Sequence, residues 1–187
     1  MMLIDKSPEA ILLYLAVLRL GAILVPVNTA YTAREFRYFL NDAKPKVVIL
    51  RPHLDPEQHQ AAQDVGAQTA TLDTCNGGSL PELAAVTHPL DIIEPTNNDD
   101  IAAILYTSGT TGQPKGAMLT HGNLASNGLA LHRIWGFRPG DVLLHPLPVF
   151  HVHGLFVAVH CAMLSGSTML YLPKFDAALV LSLIHIS

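Results

Sequence analysis

The sequence has 187 residues, a net charge of −4, 14% charged residues and 50% hydrophobic residues. This charge gives no basic surface for nucleic acid and no polybasic segment for an anionic membrane, so small molecules are the expected partners. The hydrophobic content is sufficient to fill the core of one large domain, or of part of one.

The sequence indicates neither a membrane-spanning segment nor a disulfide framework. The longest apolar run, 10–18, ends at Arg19 and is shorter than the roughly 20 residues that cross a bilayer. Cys75 and Cys161 lie far apart and form no CxxC motif, which favours a reducing compartment. We therefore expect a cytoplasmic protein. A mitochondrial location is the alternative if the natural N-terminus lies upstream of the first residue.

Predicted helices and strands alternate along the chain. Ser7 before Pro8 caps the first helix, and capping boxes beginning at Thr32 and Ser79 start two others. In chain order the predicted elements are helix 8–20, strand 22–27, helix 33–44, strand 46–50, helix 56–65, strand 68–72, a short helix from 79, strands 101–106 and 117–119, helix 121–135, strand 142–147, helix 154–164 and strand 167–172. The alternation predicts an α/β fold with mainly parallel sheets flanked by helices.

A glycine-rich segment, 105–116, has the sequence LYTSGTTGQPKG and follows a predicted strand. Its glycines allow backbone N–H groups to converge on an anion, and its hydroxyls can donate further hydrogen bonds. Lys115 adds a point charge suited to phosphate. The candidate phosphate ligands are Thr107, Ser108, Gly109, Thr110, Thr111, Gly112 and Lys115. The GxxxxGK[ST] pattern of another class of phosphate-binding loop does not fit the segment. The composition of the segment alone is as typical of an ordinary surface turn as of a phosphate-binding loop.

Two histidines, His151 and His153, follow a proline-rich strand end. Their spacing could suit a metal ion, but two ligands do not complete a zinc site. No nearby Cys, Asp or Glu is spaced as a third ligand before Asp176, so no metal site is predicted here. A partly buried histidine with satisfied hydrogen bonds is the other interpretation of His151.

The string 105–116 resembles, almost letter for letter, the signature of the adenylate-forming superfamily. This superfamily includes acyl-CoA synthetases, firefly-type luciferases and the adenylation domains of peptide synthetases. Further segments resemble the same family, namely 22–31, 115–123 and 146–154. Within the family, three segments are most similar to malonyl-CoA synthetases, namely 28–31, 121–127 and 172–176.

The resemblance implies that a carboxylate attacks the α-phosphate of Mg-ATP, and that the CoA thiol then takes the acyl group from the adenylate. ATP and CoA are the implied co-substrates, with Mg²⁺ entering through ATP and its protein ligand lying outside this chain. The loop from Thr107 to Lys115 would hold the β- and γ-phosphates, and Lys115 would neutralise the departing pyrophosphate. His151 would face the acyl and pantetheine pocket in a gating or substrate-positioning role.

By the same resemblance, residues 1–180 form part of the large N-terminal domain, with subdomains at about 1–95 and 96–180. The mobile C-terminal domain and the motifs for magnesium, adenine and ribose are expected beyond this sequence, as the missing half of the same enzyme. Residues 181–187 depart from the family pattern and are expected to be a non-native tail. We therefore expect no ligase turnover from this chain alone.

Three alternatives stay open. The chain could belong to another fatty or aryl acyl-CoA ligase, because the residues that would recognise a second carboxylate are expected beyond it. It could be a non-catalytic nucleotide-binding module. A metal-binding protein built on His151 and His153 is the third.

Overall fold

The computed structural model describes residues 1–107 and 113–185. The strands are β1 (Met2–Leu3), β2 (Val47–Leu50), β3 (Gln68–Thr71), β4 (Ile101–Thr107), β5 (Lys115–Thr120), β6 (Val142–His145) and β7 (Thr168–Tyr171). The α-helices are α1 (Pro8–Arg19), α2 (Ala33–Ala43), α3 (Pro56–Asp64), α4 (Ser79–Val86), α5 (His121–Trp135), α6 (Val159–Ser165) and α7 (Ala177–His185), with a π-helix at His153–Ala158. No helix in these two ranges is long and apolar enough to cross a membrane.

The chain forms two compact units, one of Met1–Thr96 with Ile101–Leu119 and one of Asn97–Asp100 with Thr120–Ser187. The described ends of the glycine-rich segment, Thr107 and Lys115, lie in the first unit, and the expected subdomain boundary at about residue 95 stays a prediction. The tail is helical as far as His185, and its origin stays a prediction.

The first unit is built on parallel strand pairing. Strand β2 lies between β1 and β3 and is parallel to both, with Leu3 opposite Leu50 and Ile49 opposite Ala70. Helix α2 packs its apolar face into this unit's core through three buried side chains, Phe36, Phe39 and Leu40. The predicted α/β class with mainly parallel sheets is confirmed.

The predicted strand 22–27 is wrong as a continuous strand. Leu24 bridges Ala103 of β4, whereas Pro26 bridges Met2 of β1, and both bridges are parallel. Pro26 has no N–H group and cannot extend a ladder, so the segment changes partner within three residues. It links β4 to β1 through single bridges.

The predicted capping box at Ser79 is also wrong. Gly78 is the N-cap of α4, with φ of +107°, and no side chain caps the helix. The Ser79 hydroxyl instead accepts a hydrogen bond from the Thr71 N–H at 2.9 Å, at the end of β3. The Ser79 side chain therefore bonds to β3, although the local sequence pattern predicts that it caps α4.

In the second unit, β6 and β7 pair in parallel, with Leu144 opposite Leu170. The predicted helix 154–164 forms as two pieces, the π-helix followed by α6. Such π-helical turns often occur at functional sites.

Helix α5 begins at a capping box. The Thr120 hydroxyl accepts a hydrogen bond from the Asn123 N–H at 3.1 Å, and the Asn123 side chain accepts one from the Thr120 N–H at 3.1 Å. We expect Thr120→Ala to lower the free energy of unfolding by about 1 kcal/mol, measured by urea denaturation, because it removes the cap. Asn127→Ala, in the exposed middle of the helix, is the control; an equal loss in that variant would contradict a capping effect.

Candidate functional site

Strand β4 leads directly into the candidate phosphate loop. Ala102, Ala103 and Leu105 are buried in this strand, whereas its last residue, Thr107, is exposed. Parallel α/β proteins bind ligands at such strand ends because the loops there leave the packed sheet. Thr107 therefore stands where its hydroxyl can reach a ligand.

Five of the predicted phosphate ligands lie outside the described residues, namely Ser108, Gly109, Thr110, Thr111 and Gly112. The structure does describe both ends of the loop. Thr107 ends β4, and Lys115 begins β5, the strand that pairs with β4.

The Lys115 side chain is exposed. Across residues 1–107 and 113–185 it forms neither a salt bridge nor a side-chain hydrogen bond. Its ammonium group can therefore meet an incoming anion without first leaving a carboxylate partner.

Residue 116 of β5, a glycine, lies too close to side chains of β4 to carry a side chain of its own. A Cβ at this position would lie 2.8 Å from Ile104 Cγ2 and 3.5 Å from Tyr106 Cε1. The sequence pattern predicts backbone freedom as the role of this glycine. The structure shows instead that it lets β5 approach β4 at the point where the loop ends.

Two residues of α2 that the sequence pattern does not predict form hydrogen bonds at the ends of the loop. The Tyr38 hydroxyl donates to the Pro114 carbonyl oxygen at 2.9 Å, and the Tyr106 hydroxyl donates to Asp42 Oδ2 at 2.5 Å. Burial, and then the hydrogen bond to Asp42, raise the pKa of Tyr106, so its hydroxyl stays protonated. Tyr38 and Asp42 belong to no recognisable motif, and only the fold brings them to the loop.

His151 lies in the second unit and is exposed. Its ring stacks on that of His153, with centroids 5.5 Å apart and an interplanar angle of 18°. An exposed ring is accessible to a ligand, which disfavours the interpretation of His151 as a partly buried histidine. Within the ranges described, no group of three or more His, Cys, Asp or Glu residues could hold a metal ion.

His145, which the sequence analysis did not single out, is the buried histidine of this unit. It ends β6, its ring stacks on Tyr171 with centroids 5.1 Å apart, and its Nε2 lies 2.8 Å from the Gly154 carbonyl oxygen. It thus ties the end of β6 to the first turn of the π-helix. The only sequence signal was its place at a strand end.

Comparisons with known proteins extend over nearly the whole chain. The family described as AMP-binding enzyme matches residues 1–185. The crystal structure of ATP-bound MatB from Rhodopseudomonas palustris is 47% identical with a TM-score of 0.92, over 98% of this chain and 37% of that one.

Two curated relatives are identical to this chain at similar levels. The long-chain-fatty-acid–CoA ligase FadD13 of Mycobacterium tuberculosis is 34% identical over 183 residues, which are 98% of this chain and 36% of the relative. The mitochondrial malonate–CoA ligase ACSF3 of Bos taurus is 33% identical over 162 residues, which are 86% of this chain and 27% of the relative. The chain therefore spans about a third of the length of the proteins it matches.

Proposed function

This chain belongs to the AMP-binding enzyme family, and we propose on that basis that it forms the phosphate-binding part of an ATP-dependent acyl-CoA ligase. The observation that carries the proposal is its likeness to ATP-bound MatB over 98% of the chain. In the proposed reaction a carboxylate oxygen bonds to the α-phosphorus of ATP, and pyrophosphate leaves. The thiol of CoA then attacks the acyl carbon, and AMP leaves.

In this proposal the loop from Thr107 to Lys115 holds the β- and γ-phosphates. Negative charge grows on the pyrophosphate as its bond to the α-phosphorus breaks, so a cation placed there stabilises the transition state more than the ground state. Lys115 suits this role because it is exposed and pairs with no carboxylate in the described part of the chain. Mg²⁺ is proposed to enter bound to ATP.

We propose His151 as a residue that positions the acyl or pantetheine group. Its ring is exposed, one face stacks on His153, and Nδ1 accepts a hydrogen bond from the His153 N–H at 3.4 Å. The other face and the Nε2 edge are the parts proposed to meet the ligand. Its position just before the π-helix supports the role, because that helix is buried and fixes the backbone that follows His151.

A malonate-like dicarboxylate is the proposed substrate. The 47% identity to MatB and the match to a malonate–CoA ligase support it. The fatty-acid ligase FadD13 is 34% identical to this chain, close to the 33% of the malonate–CoA ligase, so another fatty or aryl acid is the second candidate.

The proposed reaction is tested by placing this chain in the matched segment of R. palustris MatB and measuring carboxylate-dependent ATP–pyrophosphate exchange. We expect exchange in the chimera and none in the 187-residue chain alone, because the chain covers 37% of MatB. A soluble, folded chimera without exchange would contradict the ligase proposal and favour a non-catalytic nucleotide-binding module. Exchange by the isolated chain would contradict its expected inactivity.

The substrate class needs a separate measurement, because the chimera takes part of its acyl pocket from MatB. The longest natural product of the gene is assayed with malonate, a medium-chain fatty acid and an aryl acid. A preference for malonate of at least about tenfold in kcat/KM would support the dicarboxylate, and a preference for either other acid would overturn it.

A further inference from the structure

Both ends of the phosphate loop are bonded to one helix. We define the entry stem as Tyr106, which precedes Thr107, and the exit stem as Pro114, which precedes Lys115. The exit stem accepts the hydrogen bond from Tyr38, and the entry stem donates its hydrogen bond to Asp42. These two partners are four residues apart on α2 and therefore lie on the same face of the helix.

The Tyr38 bond holds a part of the exit stem that lies outside the paired strands, and the Tyr106 bond adds a side-chain contact to a residue within β4. Pro114 has no N–H group and lies outside β5, so its carbonyl oxygen is the backbone hydrogen-bonding group available there. The Tyr106 hydroxyl bonds to a carboxylate, and hydrogen bonds to ionised acceptors are stronger than neutral ones. The Tyr106 ring also packs on Phe39, with centroids 4.6 Å apart.

Helix α2 is a firm support for these bonds. Phe36, Phe39 and Leu40 are almost fully buried in the core of the first unit. The helix begins at the Thr32 capping box, and Arg37 pairs with Asp64 of α3 at 2.7 Å. A displacement of the stems would therefore have to break their bonds or move a packed helix.

We propose that α2 clamps the phosphate loop, with Tyr38 and Asp42 as positioning residues that fix its exit and entry stems. The clamp rests on the proposed phosphate-binding function and adds residues to it. Fixed stems hold Thr107 and Lys115 in place before an anion binds, so these two residues lose less conformational freedom on binding and the affinity is higher. Neither residue touches the phosphates; each acts through a stem.

Tyr38→Phe in the 187-residue chain tests the clamp, because it removes the hydroxyl and keeps the ring. We expect its affinity for inorganic tripolyphosphate, measured by calorimetry, to fall by about three- to tenfold, as for the loss of one hydrogen bond. Hydrogen exchange should rise in the peptide covering 107–116 and stay unchanged in α2 and β2. A general loss of stability would raise exchange in all three places.

Tyr31→Phe is the matched control. Tyr31 packs on the same Phe39 ring, with centroids 4.9 Å apart, and within the described residues its hydroxyl makes no hydrogen bond. Equal affinity and equal loop exchange in the Tyr38 and Tyr31 variants would overturn the exit clamp. Tyr106→Phe, which removes the hydroxyl and keeps the ring on Phe39, tests the entry clamp in the same two measurements, with the same expected directions, and unchanged values would overturn it.

Failure of the clamp and failure of the phosphate site give different results. If wild type does not bind tripolyphosphate, or if Lys115→Ala binds it equally well, the proposed phosphate site fails, and loop exchange alone decides the clamp. If Lys115→Ala weakens binding while Tyr38→Phe and Tyr106→Phe change neither affinity nor exchange, only the clamp fails.

Discussion

The Lys115→Ala variant is expected to bind inorganic tripolyphosphate about 10- to 100-fold more weakly than the wild-type chain, as for the loss of a charged hydrogen-bond donor. Lys115 is exposed at the start of β5 and has no carboxylate partner in the described ranges. Its removal therefore costs little stability, and the lost affinity reports the contact with phosphate. In the MatB chimera the same variant should lose most of its ATP–pyrophosphate exchange.

Lys46→Ala is the control for this variant, because Lys46 is also exposed in the first unit and lies just before β2. Lys46→Ala removes one positive charge, as Lys115→Ala does, but away from the loop. If both variants lose affinity equally, the effect comes from net charge, and the assignment of Lys115 to the phosphates is contradicted. The affinity difference between wild type and Lys115→Ala should also shrink as salt rises.

The parts of the fold that the sequence predicted well depend on neighbouring residues. Thr32 and Glu35 form their capping box within one helical turn, and Pro8 occupies the first position of α1 as expected. Parallel pairing followed from the alternation of helices and strands, because a helix returns the chain to the same end of the sheet. These signals need no knowledge of the distant chain.

The features that the sequence did not predict depend on distant residues. Tyr38 and Pro114 are 76 positions apart, so no local pattern indicates their hydrogen bond. Ser79 has a capping-box sequence, yet its hydroxyl bonds to the end of β3. For the loop, the glycine-rich motif predicts the kind of ligand, whereas the hydrogen bonds between α2 and the two stems became visible only in the fold.

Gly154→Ala is expected to lower the free energy of unfolding of the second unit by about 3 kcal/mol or more. A Cβ at this position would lie 2.0 Å from the Pro148 carbonyl oxygen and 2.8 Å from its carbonyl carbon. These are backbone atoms, so no side-chain rotation relieves the overlap. The Gly154 carbonyl also lies 2.8 Å from His145 Nε2, and a shift of the π-helix would break that contact.

Gly128→Ala in α5 is the control that distinguishes the effect of the overlap at residue 154 from the effect of alanine on helix propensity. Its Cβ would lie 3.3 Å from His160 Cβ, a tight contact with a side chain, and alanine is favoured over glycine in a helix by about 1 kcal/mol. We expect the cost of the tight contact and the gain in helix propensity nearly to cancel, so that urea denaturation gives a free energy of unfolding close to that of wild type. The same propensity favours alanine at 154, so a stability of Gly154→Ala equal to wild type would show that the backbone can move away from Pro148. The π-helix would then not be fixed by close packing, and the proposed positioning of His151 would lose its structural support.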